Sequence, residues 1–151
     1  MRSAQADPSA PLLIKPDGIE TYGDIARRAA GFAHTLSGLG KPGDRVAILA
    51  ENTETYVAEY YGAAGAGWIA VPLNTSLHAD ALAFMLRDAG ARVLVHEKRF
   101  SKVADQALTS GPGSLPVETV IADRSRFGGR ALSIAEAFSE DHPSMGSPVA
   151  A

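Results

Sequence analysis

The 151 residues carry 14 Lys and Arg against 17 Asp and Glu, a net charge of −3, with 46% apolar side chains. That balance excludes wholesale disorder and fibrous repeats, and the charge is spread evenly, so no clustered basic footprint for nucleic acid exists. The absence of Cys excludes a disulfide scaffold, a thiol nucleophile and a zinc–thiolate site. No apolar run approaches the ~18 residues of a membrane span.

Residues 1–10 are small and polar, with one Arg and no apolar block. They read as a flexible arm rather than a secretory signal, which makes the cytoplasm the expected location. Leu12, Leu13 and Ile14 are interrupted by Pro16-Asp17-Gly18 before the chain returns at Ile19-Glu20, the pattern of a small hairpin. Thr21 and Asp24 mark a helix start. Ile25, Ala29, Phe32 and Leu36 continue it at helical spacing, and Gly38 and Gly40 suit its end.

Arg45-Val46-Ala47-Ile48-Leu49-Ala50 is almost continuously apolar, as in a strand buried on both faces. Asn52 or Thr53 is expected to cap a helix holding Tyr56, Val57, Tyr60, Tyr61 and Ala64 in its packed interior. A second buried strand is expected at residues 68–71. A helix capped by Ser76 and closed by Gly90 follows, with Leu82, Met85 and Leu86 on its apolar face. Residues 92–95 form a third strand. Phe100, Val103, Ala104 and Ala107 repeat at helical spacing, and residues 117–122 form a fourth strand. One short helix is expected over 132–138, then a linker-like tail over 139–151.

The strands begin near positions 45, 68, 92 and 117, and one helix fits in each interval. This spacing predicts βαβ units, an α/β fold with a parallel sheet and alternating helices, over residues 11–138.

Such a fold invites a search for nucleotide fingerprints. Gly62, Gly65 and Gly67 are closely spaced, but they end a helix and precede a strand. A dinucleotide loop needs the opposite order, so they read as a small-residue helix end. Thr109-Ser110-Gly111-Pro112-Gly113-Ser114 could cradle an anion, yet no Lys follows and it joins a helix to a strand, so it reads as an ordinary loop. His34, His78, His96 and His142 include no i, i+4 metal pair. Each reads as a surface or partly satisfied histidine. Tyr56, Tyr60 and Tyr61 read as core packing. No catalytic, cofactor-binding or metal residue is assigned from the residues themselves.

The ordered segments do resemble a known family. Thr21-Tyr22-Gly23-Asp24-Ile25 looks like the opening of the AMP-forming acyl-CoA synthetases and their adenylating relatives. Gly43-Asp44-Arg45-Val46-Ala47-Ile48 is similar to that family's "GDRVAI". Gly65-Ala66-Gly67 through Val71-Pro72-Leu73-Asn74 resembles its "GA…PLN". Leu86-Arg87-Asp88-Ala89-Gly90-Ala91-Arg92-Val93-Leu94-Val95 resembles "LxDSxARxLV". Together these pieces cover about residues 11–123, and their order and spacing carry the resemblance.

The resemblance implies the first part of a large N-terminal domain. Complete relatives use ATP and Mg²⁺ to turn a carboxylic acid into an acyl-adenylate, then pass the acyl group to a thiol, usually coenzyme A. The family's Ser/Thr/Gly-rich phosphate loop ending in Pro-Lys-Gly does not occur in the 151 residues, nor do its later motifs or catalytic Lys. No site residue transfers, and this chain alone is expected to bind none of those cofactors. Three readings follow: a fragment or split part of such a synthetase, with a second chain carrying the rest as partner; a stand-alone, non-catalytic interaction module; or an unrelated small nucleotide-binding protein. An uncovered sheet edge is expected under the first two.

Overall fold

The computed structural model describes residues 5–109, 114–123 and 128–139. A two-stranded antiparallel hairpin comes first, β1 (Pro11–Lys15) and β2 (Gly18–Thr21), with Ile14 directly opposite Ile19. Lys15 Nζ reaches Glu20 at 3.3 Å and Glu54 at 2.9 Å, which ties the hairpin to the body. Ile14 and Ile19 face solvent.

The body is a five-stranded parallel sheet in the order β4-β3-β5-β6-β7. Its strands are β3 (Arg45–Leu49), β4 (Ile69–Pro72), β5 (Val93–His96), β6 (Thr119–Ile121) and β7 (Arg130–Leu132). Helices α1 (Tyr22–Leu39), α2 (Glu54–Gly65), α3 (Ala79–Ala89), α4 (Ser101–Thr109) and α5 (Ile134–Phe138) are distributed over its two faces. Alternation along the strands explains the layering. Val46, Ile48, Val93 and Val95 meet Phe32 and Leu36 of α1, Ala63 of α2 and Ala137 of α5. Ala47, Leu49, Leu94 and Val120 meet Leu82 and Leu86 of α3 and Ala104 and Ala107 of α4.

Thr21 caps α1 through a reciprocal bond with Asp24: its hydroxyl accepts the Asp24 N–H, and the carboxylate accepts the Thr21 N–H. The Thr21 N–H and hydroxyl both donate to the Asp24 carboxylate and hold it below its ordinary pKa, with Arg27 adding to them. Helices α1 and α2 pack closely because Gly62 has no side chain: a Cβ there would lie 2.7 Å from the Ala29 carbonyl.

Of the two expected caps for α2, Thr53 is the one used, and its hydroxyl accepts the Tyr56 N–H. Three expectations need correction. His78 rather than Ser76 precedes α3 and makes no side-chain cap; Ser76 stands two residues earlier in a local turn, where its N–H donates to Asn74 Oδ1. A fifth strand, β7, precedes α5 where only a helix was expected. The strand expected at residues 68–71 is β4, one residue later and on the sheet edge, so Ile69 is exposed.

That edge is blunted by its own sequence. The N–H groups of Ile69 and Leu73 donate to Asp44 and Ile48 on the β3 side. Parallel alternation then turns Ala70 and Pro72 outward, and Pro72 has no N–H. The open edge therefore offers a single donor, at Ala70, and is a poor template for an added strand.

Candidate functional site

In an open parallel sheet, ligands favour the carboxyl ends of the strands, at the point where successive connections leave in opposite directions. Here the chain leaves β3 for β4 on one side and then crosses to β5 on the other, so that point lies between β3 and β5. The loops leaving these two strands are linked. The Glu97 carboxylate after β5 accepts the Glu51 N–H after β3 at 3.1 Å. Arg99 pairs with Glu51 at 2.9 Å and with Glu97 at 3.3 Å. An adjoining open cleft of about 580 Å³ lies between the ends of β3 and β4, lined by Asn52, Thr53, Tyr56, Pro72, Asn74 and Thr75 among others.

Two buried ionisable groups stand near this end. Glu59, in the second turn of α2, is 1% exposed, and its Oε2 has no hydrogen-bond partner among the described residues. Burial, with a smaller contribution from the Glu97 charge, pushes its carboxyl up to about 8. His96, the last residue of β5, is fully buried. Its Nδ1 donates to the Glu97 carbonyl at 3.0 Å, since a carbonyl can only accept. That leaves Nε2 with a bare lone pair and no partner among the described residues. Burial lowers the imidazole pKa, partly opposed by the Glu97 bond and by Asp105 and Asp123.

The structure separates the residues that drew attention in the sequence. His96 is buried and partly satisfied, through Nδ1 alone, the second of the two expected alternatives. His34 is exposed, His78 precedes α3, and His142 lies outside the described residues. Tyr60 and Tyr61 are about half exposed, so the expected core packing holds only for Tyr56, which packs partly buried against the β3 face. Gly62, Gly65 and Gly67 do end a helix before a strand. Residues 110–113 of the Gly-rich loop lie outside the described residues. Glu59 was missed altogether. A signal existed, since it shares a helix face with Gly62 and Ala63, both buried.

Among the described residues no group of three or more His, Cys, Asp or Glu could hold a metal ion, and no helix is long and apolar enough to cross a membrane. The arrangement is a linked pair of loops over a polar cleft. It lacks a nucleophile–base pair and a phosphate cradle among those residues.

Comparison with known proteins decides the lineage. The AMP-binding enzyme family model matches residues 1–149. The chain belongs to the AMP-binding enzyme family. It is 33% identical over 120 residues to the fatty acid–[acyl-carrier-protein] ligase ScoC of Streptomyces coeruleorubidus, covering 79% of this chain and 22% of that protein. It is 35% identical over 112 residues to a feruloyl-CoA synthase of an Amycolatopsis species, covering 74% and 23%. The inhibitor-bound N-terminal domain of FACL13 from Mycobacterium tuberculosis superimposes with a TM-score of 0.77 and 28% identity, over 95% of this chain and 35% of that one. This AMP-binding chain thus spans about a quarter of the length of the first two relatives and about a third of the FACL13 N-terminal domain. The AMP-binding fold expected from the sequence, a parallel sheet with alternating helices, is the fold observed.

Proposed function

We propose that this chain is the first part of the large N-terminal domain of an AMP-forming acid–thiol ligase, acting in the cytoplasm. The complete enzyme would use ATP and Mg²⁺ to activate a carboxylic acid as its acyl-adenylate, then form a thioester with coenzyme A or a carrier-protein thiol. The observation carrying this reading is the match across almost the whole chain to a family whose members, by name, join fatty or aromatic acids to thiols. The acids differ while acid activation is shared, so the reaction class transfers better than the substrate.

The chain contributes scaffold rather than chemistry. Adenylate formation rests on positioning plus neutralisation of phosphate charge. The linked loops over the cleft are poorly suited to hold phosphate, because they carry the carboxylates of Glu51 and Glu97 and the Arg99 guanidinium is already paired with both. ATP, Mg²⁺ and the thiol substrate therefore belong to the rest of the enzyme, on the same polypeptide or on a partner chain.

The test is acid-dependent ATP–pyrophosphate exchange, run on the native species from its own cells and on the 151-residue chain alone. Fatty, ferulic and benzoic acids form the panel. Exchange by a larger native species, and none by the isolated chain, is expected. Exchange by the isolated chain would overturn the scaffold role. A larger species with no exchange on any of these acids would count against the ligase reading.

A further inference from the structure

His96 closes the last pair between β3 and β5, opposite Leu49, and is fully buried. By alternation along β5 its ring lies on the Leu94 face, where Leu49, Leu94 and Ala122 pack with α3 and α4. Nδ1 donates to the Glu97 carbonyl at 3.0 Å, and Nε2 is buried with no partner among the described residues. That setting suits only the neutral ring. A proton on Nε2 would add a charge and a donor with no acceptor, which costs far more than a bare lone pair. Asp105 on α4 and Asp123 after β6 favour the charged ring, but burial outweighs them. Helix α3 turns Leu82 and Leu86 to the core and keeps Asp80, Arg87 and Asp88 exposed. Lys98, Arg99 and Lys102 also face solvent.

We propose that His96 is an acid-sensitive catch on the loops that leave β3 and β5. Neutral, it stays in the core and seats Glu97, whose N–H donates to the Leu49 carbonyl at 3.2 Å and whose carboxylate accepts the Glu51 N–H at 3.1 Å. Protonated, the ring leaves the core for solvent, where both nitrogens donate to water. It is the last residue of a four-residue strand, and the exposed Lys98 and Arg99 follow closely, so the ring can leave by local fraying while residues 93–95 stay paired. Glu97 adjoins it in the chain and is drawn off with it, so both bonds to the β3 side are lost. Residues 50–53 wall the cleft at this end of the sheet and loosen when the catch opens. The freed ring takes up a proton near its ordinary 6.5 and the buried ring only at lower pH, so opening grows as pH falls below 6.5. The catch rests on the buried ring and its bonds and is independent of the ligase reading.

Amide hydrogen exchange of the whole chain between about pH 7.5 and 5.5, corrected for intrinsic rates, tests it, because ordinary carboxylates stay ionised across that range. The Glu97 and Glu51 amides of the wild type should lose protection about tenfold, the gain in the open form when only the open ring takes up protons, at its ordinary 6.5. The amides of Val46 and Leu94 in the sheet core should keep theirs. His96→Asn keeps a donor for the Glu97 carbonyl and cannot titrate, and His96→Phe cannot titrate and suits the apolar surroundings. In each variant the Glu97 and Glu51 amides should be equally protected at both pH values. Nitrogen NMR of the wild-type imidazole, followed over the same range, should show the neutral Nδ1–H form giving way to the charged ring in step with the loss at Glu97. Unchanged protection in the wild type, or the same loss in either variant, would overturn the catch. So would a ring that takes up its proton while the Glu97 amide stays protected. A parallel loss at Val46 and Leu94 would also overturn it, since global unfolding would then be the cause.

Discussion

Replacing Glu59 by Gln keeps the shape and removes the titration. Folding holds this carboxyl in its neutral form to about pH 8, whereas the unfolded chain ionises near the ordinary 4.5. A raised native pKa means that the native state binds the extra proton in between, so stability is full below 4.5 and falls as pH rises to about 8. The interval from 4.5 to about 8, at about 1.4 kcal/mol per pH unit, sets a ceiling of about 5 kcal/mol. Against a total of about 5–15 kcal/mol for a domain, that is a large fraction. Urea unfolding at several pH values between about 5 and 9 reads it directly. The wild type should lose stability steadily up to about pH 8 and then level off. Glu59→Gln should lack that part of the slope and be the more stable protein at about pH 8. Parallel pH profiles for the two proteins would refute the reasoning, because Glu59 would then be ionised or solvated in the native state.

Three further outcomes are expected. Gly31→Ala places a Cβ 2.5 Å from the Phe138 carbonyl oxygen, so α5 must shift; a loss of about 1–3 kcal/mol in urea unfolding is expected, and an unchanged midpoint would show that α5 is not docked there. Thr35→Val removes the hydroxyl that donates to the Ala137 carbonyl at 2.8 Å, a bond that ties α1 to α5. It should cost about 1–3 kcal/mol by leaving a buried acceptor unpaired, read by thermal melting. Thr21→Ala removes one half of the cap on α1 and should cost about 1 kcal/mol by the same assay.

The parts of the fold that were legible share a physical cause. The runs at 45–50 and 92–95 correspond to β3 (Arg45–Leu49) and β5 (Val93–His96), strands buried on both faces, and a nearly unbroken apolar run is how such strands appear in sequence. β4 carries a similar run, but an edge position cannot be read from one strand's composition, and Ile69 is exposed. β7 was missed because Arg130-Ala131-Leu132 is three residues long and mostly exposed, with no pattern to detect. The capping box on α1 was legible because Thr21 and Asp24 stand three apart before an apolar stripe. Tyr60 and Tyr61 misled because helical spacing marks a stripe without saying which stripe faces the sheet. The candidate site was the least legible part. Glu51, Glu97 and Arg99 meet only because β3 and β5 are neighbours in space, 46 residues apart along the chain at the Glu51–Glu97 bond.

The proposed role as scaffold for a larger acid-activating enzyme has a direct physical consequence, the native mass of the endogenous protein. Size exclusion with intact-mass detection reads it. A species larger than 15.7 kDa is expected, one that includes the remainder of an AMP-binding enzyme, with its phosphate loop and catalytic lysine, and that exchanges pyrophosphate into ATP. A stable monomer of 15.7 kDa with no such companion would contradict that role and leave a non-catalytic module of the same family.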